Sequence, residues 1–122
     1  MIFIVDDEPD VAFAVELNLK ELSVEYEFTR INSGKKCLEL LEKNQIPDLI
    51  ILDIMMPGMN GWEVFKTIKE NQDWIKIPII FLTARVDRVA EHAGNFLGDD
   101  YIEKPYDPND LKKRISQILQ KK

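Results

Sequence analysis

Three short runs of the chain are apolar at every position: Ile2–Val5 (IFIV), Leu49–Leu52 (LIIL) and Ile79–Leu82 (IIFL). Four residues with no polar position on either face predict a strand covered on both sides, as in a parallel sheet. The segment VEYEFTRI (24–31) instead sets Tyr26 and Phe28 against Glu25 and Glu27, the alternation of a half-exposed edge strand. A fifth strand is predicted for DDYIEK (99–104), ended by Pro105. Between these runs the apolar positions recur at helical spacing. Pro9 suits a first helical turn, followed by Val11, Val15, Leu19 and Leu22. Ser33 is placed to cap GKKCLELLEK, with Leu38 and Leu41 facing inward. GWEVFKTIKE carries Gly61, Phe65 and Ile68 on one side, and a helix broken by Gly94 is predicted over 85–96. Asp107 and Pro108 start the last helix, whose inner positions are Leu111, Ile115 and Ile118.

Strands alternating with helices predict a parallel sheet wrapped on both faces, with right-handed crossovers. At 122 residues the expectation is one domain over 1–122, with no repeat, linker or low-complexity tract. Hydrophobic residues make up 45% and charged residues 31%, which excludes a disordered chain. A net charge of −6 argues against direct nucleic-acid binding, which wants a basic face. The lone Cys37 excludes an internal disulfide and fits a reducing compartment. No apolar stretch approaches the ~20 residues of a membrane span, and the start lacks the form of a signal peptide. A cytoplasmic protein is expected.

In such a sheet, chemistry gathers beyond the carboxyl ends of the strands. Asp6 and Asp7 follow the first apolar run, Asp53 follows the second, Thr83 the third, and Lys104 closes the fifth segment. Each of these residues alone has a plain structural role. The acids suit helix caps and turns, Thr83 a strand end, and Lys104 a solvated charge. Their common position at one sheet edge is what favours a site. Converging carboxylates repel one another unless a cation neutralises them, and Mg²⁺ takes such oxygens while keeping positions open for phosphate. Asp53 could then act as a nucleophile toward phosphorus, with Thr83 and Lys104 contacting the phosphoryl oxygens.

The ordered motifs IVDDEPDV, PDLIILDIMMPGMNG, PIIFLTA and DDYIEKP resemble those of the receiver domain of two-component response regulators, over essentially the whole chain. The resemblance implies a three-layer, doubly wound α/β fold of flavodoxin type, with five parallel strands in the order 2-1-3-4-5. It implies Asp53 as phosphoacceptor, Mg²⁺ (or Mn²⁺) held by Asp6, Asp7, Asp53 and the backbone carbonyl of Met55, and Thr83 and Lys104 as the groups on the phosphoryl oxygens. Thr83 and Tyr101 would form the switch. The implied partners are a sensor histidine kinase or histidine phosphotransfer protein and a downstream effector or output domain. Asp100 and Arg114 match a pair that bridges subunits of a homodimer through the 85–96 helix, the fifth strand and the last helix.

The chain departs from the family pattern in places. The interval from Thr83 to Lys104 is about one residue short, Gly98 stands where alanine is usual, and Tyr106 replaces the commoner phenylalanine. Arg85 and Met55 lie at positions that tune phosphoryl lifetime in the family. His92 lies off the motifs and reads as an ordinary helix residue. Two other classes compete with this reading. An aspartyl-phosphate phosphatase would need a second acid two residues past Asp53, where Met55 stands. A phosphorylation-independent docking module would not need the full set of phosphorylation residues.

Overall fold

The computed structural model describes residues 1–22, 26–83, 100–103 and 105–120; Leu22, Thr83, Asp100 and Glu103 enter as backbone only. Five strands, β1 (Ile2–Val5), β2 (Phe28–Ile31), β3 (Leu49–Leu52), β4 (Ile79–Thr83) and β5 (Asp100–Glu103), form one parallel sheet in the order β2-β1-β3-β4-β5. Among the described residues four helices cover it: α1 (Pro9–Leu22), α2 (Gly34–Glu42), α3 (Gly61–Glu70) and α4 (Pro108–Gln120). The expected fold class and strand order are borne out. The helix predicted over 85–96 lies outside the described residues, as do Arg85, His92 and Gly98.

The side-chain alternation of a strand explains why three runs are apolar throughout. Phe3, Val5, Ile50, Leu52, Ile79 and Phe81 point toward one layer, where they meet Cys37 and Leu41 of α2 and Val64, Phe65 and Ile68 of α3. Ile2, Ile4, Leu49, Ile51, Ile80 and Leu82 point the other way, to Ala12, Val15 and Leu19 of α1 and Leu111 and Ile115 of α4. Each strand therefore feeds two cores, and no position is left for a polar residue. β2 has less to cover it. Phe28 and Thr29 are half-buried, Arg30 is exposed, and the Tyr26 and Phe28 rings meet edge to face at 6.4 Å.

Helix ends follow the local chemistry. The Ser33 hydroxyl accepts from the Lys36 N–H at 3.1 Å, and the Asp107 carboxylate accepts from the Asn109 N–H at 2.9 Å just before Pro108. The buried stripe of α1 runs through Ala12, Val15 and Leu19, so Val11 is only half-buried. On α2, Leu38 is half-buried while Cys37 is fully enclosed. Both shifts are of one position, because a stripe of 3.6-residue period wide enough to meet a sheet takes in the neighbouring residue.

Candidate functional site

The pairing register explains why acids distant in the chain meet. Val5 of β1 lies level with Ile31 of β2 and with Leu52 of β3. The ladder runs one residue further on both sides: the Asp6 N–H donates to the Ile31 carbonyl at 2.9 Å, and the Asp53 N–H donates to the Val5 carbonyl at 3.0 Å. Asp6 and Asp53 are thereby held as neighbours at the carboxyl edge, with Asp7 beside them. One carboxylate oxygen from each of the three lies within 4.8 Å of the others. Asp6 and Asp53 are 5% and 8% exposed, the only buried charged side chains among the described residues, and Asp7 is half-buried.

Three like charges at this spacing repel strongly. At 4.8 Å two unit charges cost about 1 kcal/mol at the dielectric of water and roughly 3 kcal/mol at an effective dielectric near 20, and water reaching the half-buried Asp7 holds its pairs toward the lower figure. Part of that is offset locally. The Asp6 carboxylate accepts the Glu8 N–H at 2.9 Å, which closes a turn into α1, and Asp53 accepts a long contact from the Met55 N–H at 3.4 Å. Asp6 is thus both the turn former and a member of the cluster; the two readings of the sequence are compatible. The donor set, carboxylate oxygens only, fits a hard divalent cation.

The loop from Asp53 into α3 is held at several points. The Ile54 carbonyl accepts from the N–H groups of Met56 at 3.1 Å and Gly61 at 2.9 Å, and Gly58 takes φ +72°. A reciprocal cap that the sequence reading passed over fixes the start of α3. Asn60 accepts from the Glu63 N–H at 3.0 Å, while the Glu63 side chain accepts from the Asn60 N–H at 3.2 Å. The signal was present as Asn60-x-x-Glu63 ahead of an apolar helix. Met55 is 56% exposed on the rim, and Met56 is buried.

The other candidates divide. The backbone of Thr83 ends β4, level with Glu103 of β5, so both strand ends face the edge that carries the acids. The Thr83 side chain and Lys104 lie outside the described residues. Tyr101 sits level with Phe81, half-buried against the core on the α2–α3 side. Arg114 is engaged within the chain, its guanidinium 3.2 Å from Asp110 and donating to the Tyr101 carbonyl at 3.3 Å. The Asp100 side chain lies outside the described residues, so the pair is not seen. Tyr106 uses the hydroxyl that distinguishes it from phenylalanine, accepting from the Asn18 side chain of α1 at 2.9 Å.

Sheet order and acidic edge together define an open α/β protein with a cation-competent carboxylate cluster at its topological switch point. Residues 2–116 match the family model of the response regulator receiver domain, and the chain belongs to that family. Several of the curated relatives it matches are named as response regulators or transcriptional regulators. Response regulator ArlR of Staphylococcus saprophyticus is 38% identical over 125 residues, covering 98% of this chain and 52% of its own length. A Vibrio cholerae protein named as a probable cyclic di-GMP phosphodiesterase is 42% identical over 123 residues, covering 99% of this chain and 27% of its own. The solved signal receiver domain of a signal transduction histidine kinase from Syntrophus aciditrophicus matches with a TM-score of 0.86 at 30% identity, covering 98% of this chain and 89% of that one. The chain thus spans between about a quarter and a half of the length of these curated relatives.

Proposed function

We propose that Asp53 takes a phosphoryl group from the phosphohistidine of a sensor histidine kinase or histidine phosphotransfer protein, and that the new charge selects a downstream effector or output domain. The observation that carries this reading is the meeting of Asp6, Asp7 and Asp53 at one sheet edge, two of them nearly buried. Asp6, Asp7, Asp53 and the Met55 carbonyl would hold Mg²⁺ or Mn²⁺. When bound, such an ion neutralises the carboxylates and the phosphoryl oxygens, so that anion can approach anion.

The chain's own groups then act in sequence. An Asp53 carboxylate oxygen attacks phosphorus, and the phosphorus–nitrogen bond to the donor imidazole breaks. The electron pair stays on nitrogen, which takes a proton from solvent. The product is an acyl phosphate on Asp53. Hydrolysis reverses the charge: water attacks phosphorus, Asp53 leaves as carboxylate, and inorganic phosphate departs. The Asp53 backbone is held to β1 throughout by its bond to Val5, so the carboxylate stays aimed at the edge. We assign Thr83 and Lys104 to the phosphoryl oxygens through hydroxyl and ammonium, and Tyr101 to the inward turn that follows Thr83. Phosphorylation adds nearly two negative charges, which biases a two-state surface formed by the 85–96 segment, β5 and α4. Dimerisation through Asp100 and Arg114 belongs to the same reading; within the single chain the Arg114 guanidinium lies 3.2 Å from Asp110. A cytoplasmic location, where phosphohistidine donors and reduced Cys37 coexist, completes it.

Incubation with Mg²⁺ and acetyl phosphate tests the chemistry by intact-mass spectrometry. The chain is expected to gain one phosphoryl group, and Asp53→Ala to gain none. A variant that still gains it removes Asp53 from the role.

A further inference from the structure

Gly61, the first residue of α3, is nine positions past the end of β3 in sequence yet lies against the phosphoacceptor's own backbone. A Cβ built on it would stand 2.7 Å from the Ile54 Cα, 3.0 Å from the Asp53 carbonyl carbon and closer still to the Asp53 carbonyl oxygen. These atoms are backbone and cannot swing aside. The absence of a side chain here serves close approach, since the only left-handed backbone among the described residues is at Asn44 and Gly58. The Gly61 N–H meanwhile donates to the Ile54 carbonyl at 2.9 Å. The peptide at Asp53 is therefore gripped on two sides, by β1 through Val5 and by the first turn of α3 through Gly61.

We propose that Gly61 is a positioning residue for Asp53: the naked helix start sets where the Asp53 carboxylate stands relative to Asp6 and Asp7, and hence cation affinity and phosphoryl acceptance. The inference rests on the reading of Asp53 as phosphoacceptor and deepens it. The reciprocal cap of Asn60 and Glu63 holds the helix start in place and so belongs to the same device.

Gly34 supplies an internal control. A Cβ there would strike the Val64 side chain and stand 3.2 Å from the Met59 carbonyl, so it crowds the α2–α3 packing without touching Asp53. The experiment compares parent, Gly61→Ala, Gly34→Ala and Asp53→Asn. Mg²⁺ affinity is read by titration calorimetry and phosphoryl uptake by mass after acetyl phosphate. Both are measured at a temperature where circular dichroism shows each variant folded. Gly61→Ala is expected to weaken Mg²⁺ binding at least tenfold and to slow uptake to a similar degree, while Gly34→Ala stays within threefold of the parent despite its lower melting temperature. Equal Mg²⁺ affinity in Gly61→Ala and parent overturns the inference, as does a loss in Gly34→Ala as large as in Gly61→Ala. Should Gly61→Ala not fold, Asn60→Ala loosens the helix start without adding bulk. It should weaken Mg²⁺ binding severalfold, with recovery in Asn60→Asp, which retains the cap acceptor. Parent-like Mg²⁺ binding in Asn60→Ala counts against the inference. A parent that neither binds Mg²⁺ nor takes phosphate, like Asp53→Asn, marks failure of the underlying reading instead.

Discussion

The half-buried Asp7 adds a third negative charge to two buried ones, and this has opposite consequences with and without a cation. In metal-free solution, Asp7→Asn removes repulsion toward Asp6 and Asp53, and unfolding in urea with chelator should show a gain of about 1 kcal/mol. With millimolar Mg²⁺ the order should reverse, because the parent gains binding energy that the variant lacks. A variant less stable than the parent under both conditions would mean the acids do not repel as the geometry implies. Cys37 offers a second test. Burial among α2 and the sheet pushes its thiol from 9.0 up to about 12. The unfolded chain releases this proton near pH 9 and the folded chain does not. The stability it contributes is therefore intact below pH 9 and falls as pH rises toward 12, by on the order of 4 kcal/mol at most. Cys37→Ala should flatten the pH dependence of urea stability between pH 9 and 11. The native thiol should also resist disulfide reagents at pH 8 until the chain unfolds.

At the level of elements, the site depends on how strands are paired and how helices begin. In-register parallel pairing of β1 with β3 makes neighbours of residues that follow Val5 and Leu52, and no side-chain contact is needed to bring them there. The turn between α3 and β4 is tied by Lys69, whose ammonium donates to the carbonyls of Ile75 at 3.1 Å and Ile77 at 2.9 Å and lies 5.9 Å from the Phe65 ring centre. Lys69→Met keeps the aliphatic length but leaves both carbonyls without that donor. It should cost about 1–2 kcal/mol in urea unfolding, with Mg²⁺ affinity unchanged, since this turn lies at the opposite edge of the sheet from the acids. A change in Mg²⁺ affinity would show that the turn is coupled to the site.

For the molecule as a whole, a cation held by the folded acids but not by the unfolded chain must raise stability by mass action. At a hundredfold excess over the dissociation constant the gain is about 2.7 kcal/mol, so the melting temperature should climb with Mg²⁺ and fall back on chelation. An unmoved transition at saturating Mg²⁺ would argue that the cluster holds no ion. The fold was legible in the sequence because apolar runs such as LIIL, enclosed on both faces, leave few alternatives to a doubly covered parallel sheet, and the alternating Tyr26 and Phe28 marked its edge. The acids, too, were legible as strand-end residues. Taken singly each had a mundane role, which Asp6 also fills by closing the turn into α1, and it was their shared place at the strand ends that favoured a site. What only the tertiary structure decided is distance: three carboxylate oxygens within 4.8 Å, and a helix-starting glycine pressed on the Asp53 backbone. Composition and periodicity specify which face of an element is buried. Separations of a few ångströms between atoms on different elements arise only once register and packing have fixed each element against the next.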